Sequence, residues 1–110
     1  MLKKTILIDL DGVLNEYSGK FEKNVIPKPK KNVIKFLEYL QKDYEIIVFT
    51  TRNLLLTSKW LIKNKLDIYV KDVSNIKRSA YLYLDDRALQ FNGDYEEMKK
   101  SIETFKPYWE

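Results

Sequence analysis

Residues 5–12 read Thr5-Ile6-Leu7-Ile8-Asp9-Leu10-Asp11-Gly12. A short β-branched and apolar run stops on two aspartates and a glycine. Four consecutive residues without polar alternation predict a strand buried on both faces. The polar turn that follows predicts that the strand's carboxyl end carries chemistry. Working outward, Glu45-Ile46-Ile47-Val48-Phe49-Thr50 predicts a second buried strand. Asp67-Ile68-Tyr69-Val70 predicts a third, and Ala80-Tyr81-Leu82-Tyr83-Leu84 a fourth, closing on Asp85-Asp86.

Between the strands the apolar spacing turns helical. Val33, Phe36, Leu37 and Leu40 predict an amphipathic helix over about 30–42. A second helix is predicted from Leu55 to Lys65, burying Leu56, Trp60 and Leu61 or their neighbours. Asp94, with Glu97 three residues on, has the form of a capping box, starting a last helix that runs to about Phe105 before Pro107. Residues 13–29 form a polar excursion punctuated by glycine and proline. Strands separated by crossover helices predict a parallel sheet covered on both faces, with ligands beyond the carboxyl ends of its strands. The expected fold class is therefore α/β, a single Rossmann-like three-layer domain over residues 1–110 with a central parallel sheet.

Composition narrows the chemistry. At 110 residues, one core is expected and no separate substrate-covering domain. Hydrophobic content of 45% beside 33% charged residues reads as soluble and globular. No apolar run approaches the roughly 20 residues that cross a bilayer. The Met1-Leu2-Lys3-Lys4 start leads too quickly into a strand for an export signal, so a cytoplasmic protein without membrane contact is expected. The chain has neither cysteine nor histidine. Thiolate catalysis, disulfides and histidine-based triads are excluded together, leaving carboxylates, lysines and hydroxyls. The net charge of +4 favours anions such as phosphorylated metabolites or nucleic acid, although solvated lysines also account for it.

The strand ends collect an unusual set of side chains. Asp9 and Asp11 follow the first strand and Thr50 and Thr51 the second. Lys77 precedes the fourth, and Asp85 and Asp86 follow it. If the strands are parallel, three or four carboxylates share a small space, which requires a cation among them. A hard, oxygen-binding ion such as Mg²⁺ fits, with Lys77 as a second positive charge. Metal, lysine and hydroxyl together suit a phosphoryl group.

These residues carry a resemblance. Asp9-Leu10-Asp11-Gly12-Val13-Leu14 resembles the first motif of haloacid dehalogenase-like hydrolases. Thr50 resembles the second, Lys77 the third, and Leu84-Asp85-Asp86 the acidic fourth, in that order over about residues 4–100. The resemblance implies a Mg²⁺-dependent phosphatase. Asp9 would form an aspartyl-phosphate, and Asp11 would protonate the leaving alcohol and then activate water. It implies metal ligation by Asp9, the backbone carbonyl of Asp11 and Asp85, with Asp86 binding through water or orienting Lys77. Thr50 and Lys77 would hold the phosphoryl group, with Thr51 beside them. An aspartate at position 11 resembles the phosphatase and phosphomutase branches. The chain is similar to small members without a cap domain, residues 13–29 making only a short flap.

Arg52 and Arg87 directly follow two of these motifs, and the chain has only three arginines. Their planar forks suit a substrate phosphate or a salt bridge to a nearby acid. Asn15, Glu16 and Tyr17 are candidates to touch a leaving group. Tyr108 and Trp109 are expected to pack back on the domain or against a second subunit. An open site admits a phosphorylated small molecule or a phosphorylated nucleic-acid end, and a homo-oligomer would cover it. The alternative from another class is a non-catalytic phosphate- or nucleic-acid-binding protein on the same fold. A receiver domain of a two-component system is discounted, because the threonine and the acid pair follow the wrong strands.

Overall fold

A computed structural model describes residues 2–110. Met1, part of the segment read above against export, lies outside the described residues.

The first strand, β1 (Lys4–Asp9), buries Ile6, Leu7 and Ile8 in succession. Strand β2 (Tyr44–Phe49) does the same with Ile46, Ile47 and Val48. Consecutive apolar residues suit these two strands because they are central. The sheet order is β3-β2-β1-β4, with β3 (Asp72–Ser74) and β4 (Leu82–Leu84) at the edges and every pairing parallel. Its register sets the carboxyl ends level. Asp9 lies opposite Phe49, Ile8 opposite Leu84, and Phe49 opposite Ser74. Residues 9, 50 and 85 therefore emerge along one edge.

Helix α1 (Val33–Gln41) packs on β2 and buries Val33, Leu37 and Leu40, while Phe36 stays largely exposed. It starts later than predicted, because residues 29–30 are held in the flap and Asn32 takes a left-handed conformation, φ 68°. Helix α2 (Leu54–Lys63) is capped by Asn53, whose side chain accepts from the Leu56 N–H at 3.0 Å. It buries Thr57, Trp60 and Leu61 and leaves Leu56 only half-buried. The core joins these faces to Leu10, Leu14 and Leu66.

The third strand is not where the apolar run 67–70 placed it. Asp67–Tyr69 is a single tight helical turn, with the Tyr69 N–H donating to Leu66 and the Val70 N–H to Asp67. Leu66 is fully buried and closes α2 through a bond from its N–H to the Leu61 carbonyl. The chain must still turn before it can meet the sheet. Lys71 makes the first contact, its N–H donating to Ile46 at 2.8 Å, and β3 follows.

Within the excursion predicted over residues 13–29, residues 13–14 belong to the turn after β1 and residues 15–29 form a hairpin-like flap, bridged at Asn15–Pro29 and Glu22–Val25. Trp60 pins its far arm by donating to the Pro27 carbonyl at 3.1 Å. Helix α3 (Tyr95–Thr104) is capped by Asp94, which accepts from the N–H groups of Glu96 and Glu97. The reciprocal half of the box is missing, because Asn92 takes both the Asp94 N–H and the Glu97 carboxylate. No residue of α3 is fully buried. Among the described residues, no helix is long and apolar enough to cross a membrane.

Candidate active site

Beyond Asp9 the chain turns sharply through Leu10–Leu14, anchored by the fully buried side chains of Leu10 and Leu14. Gly12 sits at φ 87°, where an L-residue is strained. A Cβ there would also lie 2.1 Å from Asp86 Oδ2. Glycine is therefore what lets the loop after β1 touch the loop after β4. Asn15, 0% exposed, shapes this turn. Its Oδ1 accepts from the N–H groups of Gly12 and Tyr17, both at 3.1 Å, and its Nδ2 donates to Asp11 Oδ1 at 3.0 Å.

Asp9, Asp85 and Asp86 each bring a carboxylate oxygen within 4.8 Å of the other two. Burial first, then Asp86 beside it and the charges of Asp85, Asp86 and Asp11, push the Asp9 carboxyl up to about 8. Burial also works against the ionisation of Asp86. Hydrogen bonding, above all the Nε1–H that Trp109 donates, outweighs it and holds Asp86 below its ordinary value. Asp86 Oδ1 is buried with no hydrogen-bond partner among the described residues. Ionised neighbours can only accept, so either a proton on Asp9 or a cation must satisfy this oxygen. Three crowded carboxylates and an orphaned acceptor are a donor set that fits a hard divalent ion such as Mg²⁺. Asp9, Asp85 and Asp86 are the side chains that would hold it.

The Asp11 side chain is engaged elsewhere. Arg52, 3% exposed, donates from Nε to Asp11 Oδ2 at 2.9 Å, so both Asp11 oxygens accept bonds. The same guanidinium donates from Nη1 to the flap carbonyls of Glu22 at 2.7 Å and Lys23 at 3.3 Å, and stacks on Phe21. Arg52 thus ties Asp11 to the flap, while its buried Nη2 has no partner among the described residues.

Thr50 is buried and fixed from three sides. Its N–H donates to the Ser74 carbonyl, its carbonyl accepts from Asn75 Nδ2, and its Oγ1 accepts from the Arg52 N–H. Its hydroxyl proton remains to be donated. Thr50, Thr51, Asp9, Asp11, Asp85 and Arg87 line a cavity of about 250 Å³ with Tyr17, Phe21 and Phe49. Arg87 is exposed, and its N–H donates to Asp85 Oδ1 at 2.9 Å. Lys77 is not among the lining residues. It is exposed, with Nζ 4.6 Å from the centre of the Tyr83 ring. A larger groove of about 400 Å³, lined by Leu54, Leu61, Ile62, Val70 and Val73, shares no residue with this cavity.

Sequence reasoning missed Asn75, whose Nδ2 also donates to the Arg52 carbonyl at 2.9 Å, and the contact of Trp109 with Asp86. Both join residues more than twenty positions apart, and no local pattern marks them.

No family model, curated protein or solved structure matches the chain. The functional reading therefore rests on the site's own chemistry.

Proposed function

We propose that the chain is a Mg²⁺-dependent phosphatase of haloacid dehalogenase-like fold, acting in the cytoplasm on a phosphomonoester through Asp9. One observation carries this reading: Asp9, Asp85 and Asp86 crowd within 4.8 Å beside a cavity that Asp11 and Thr50 also line. Uncatalysed hydrolysis of such esters is among the slowest of biological reactions, and a covalent route divides it into easier steps. Bound at the three acids, Mg²⁺ would supply charge stabilisation for the phosphoryl oxygens.

The chain's own residues would do the rest. An Asp9 oxygen attacks phosphorus in line, the ester oxygen leaves, and an aspartyl-phosphate results. Water then attacks phosphorus, releasing phosphate and restoring the Asp9 carboxylate. The Thr50 hydroxyl donates to a phosphoryl oxygen from its fixed position, and Arg87 offers a guanidinium at the cavity wall. Asp11 accepts from Asn15 and Arg52, one on each oxygen, which orients it at the cavity and leaves a lone pair on each oxygen for a proton from water. To protonate a leaving alcohol first, it must already carry a proton on one of those lone pairs.

The substrate is a phosphorylated small molecule or a phosphorylated nucleic-acid end, and a second copy of the chain would cover the open site. A non-catalytic phosphate-binding role draws support from Lys77, which stacks on Tyr83 outside the cavity. Phosphate release by the unsubstituted protein separates the two readings, and Asp11→Asn tests the acid. The substitution is expected to slow release from an alkyl phosphate by about 10²-fold or more, and from p-nitrophenyl phosphate much less. Equal losses on both esters would remove Asp11 as the acid. Absence of release from either ester by the unsubstituted protein would favour the binding role.

A further inference from the structure

Asp86 is gripped from far along the chain. After α3, the buried Pro107 anchors a short segment in which Trp109 Nε1 donates to Asp86 Oδ2. The Trp109 ring stands edge-on to Tyr17, with centroids 5.3 Å apart at 82°. Gly19 of the flap leaves room for it, since a Cβ there would lie 3.1 Å from Trp109 Cζ3. Beside it, the Tyr108 hydroxyl donates to the Gly12 carbonyl. Two adjacent aromatic residues thus bind both acid-bearing loops and the flap.

A carboxylate beside two others is repelled and free to rotate unless something fixes it. An indole N–H is neutral and can only donate. It orients Asp86 without bringing a positive charge that would compete with an ion. With Oδ2 committed to Trp109, Oδ1 is the oxygen left without a partner. We propose that Trp109 is a positioning residue for the cation site, holding Asp86 so that Oδ1 is presented to an ion shared with Asp9 and Asp85. This rests on the cation reading above.

The test is calorimetric titration of Mg²⁺ into four proteins: wild type, Trp109→Phe, Asp86→Asn and the double variant. Phenylalanine keeps a ring against Tyr17 and Gly19 and removes only the N–H donor. Trp109→Phe is expected to raise the Kd for Mg²⁺ about tenfold, the usual scale for losing a partner of a metal ligand. In the Asp86→Asn background the same change should have no further effect, because the two residues act as one unit. If wild type binds Mg²⁺ and Trp109→Phe binds it equally well, the positioning role is wrong and the cation reading stands. An equal loss in the Asp86→Asn background would also overturn the role, showing that Trp109 acts through the fold. A Trp109→Phe protein that circular dichroism finds unfolded would do the same. Wild type that takes up no Mg²⁺ would instead overturn the cation reading itself.

Discussion

Asp9 meets two opposed demands. It is the best-placed nucleophile, yet burial and three neighbouring acids push its carboxyl up to about 8 without a cation. The unfolded chain would release that proton near the ordinary value of 3.8. Between those two values the folded protein holds a proton that the unfolded chain has lost. Metal-free stability therefore falls as pH rises through that window and levels off above it. Each unit of difference is worth up to about 1.4 kcal/mol, reduced here because solvent reaches the half-buried carboxyl. Thermal melts in EDTA should show Tm falling by roughly 5 °C or more from pH 5 to pH 8, with Asp9→Asn flattening the slope. A wild-type Tm that is flat or rising over that range would contradict the crowding. This cluster was legible in the sequence because strand ends in parallel sheets follow a simple grammar. An apolar run ending in acids has few structural explanations. Trp109 was not legible as a partner of Asp86, since a tryptophan carries no local sign of which loop it will meet.

The elements around the site were read unevenly, for identifiable reasons. Strands β1 and β2 are consecutive apolar residues buried on both faces, and their sequence says so directly. The run 67–70 has the same composition but bends into a turn, because the buried Leu66 and the end of α2 set where the chain can next join the sheet. Tertiary geometry overrode a local β-branched signal there. The flap was legible as an excursion, but its attachment to Arg52 was not. That guanidinium holds the Glu22 and Lys23 carbonyls as well as Asp11. Arg52→Met should release the flap while leaving the sheet intact. A charged hydrogen bond contributes about 1.5–3 kcal/mol, so cleavage by trypsin at Lys20 and Lys23 is expected to quicken about tenfold or more. Unchanged cleavage would mean that Trp60, Trp109 and the strand bridges hold the flap without Arg52.

Over the whole molecule, the alternation of strands and helices was enough to anticipate a parallel sheet with chemistry along one edge. The level strand ends depend on the pairing register, which no single segment encodes. The depth of α3 was not legible, because the helix has the predicted spacing and a good N-cap yet buries nothing fully. Periodicity shows that a helix forms, and it does not show how deeply the helix docks. What the fold does achieve is convergence, bringing acids from β1 and β4 and a hydroxyl from β2 to one cavity. The most direct test of that convergence is phosphate release from a panel of phosphorylated metabolites and 5′- and 3′-phosphorylated oligonucleotides. It would be run with Mg²⁺, with EDTA, and with the Asp9→Asn protein. Release that requires Mg²⁺ and disappears in Asp9→Asn is the predicted result; release that persists in EDTA or in the pure variant would contradict it.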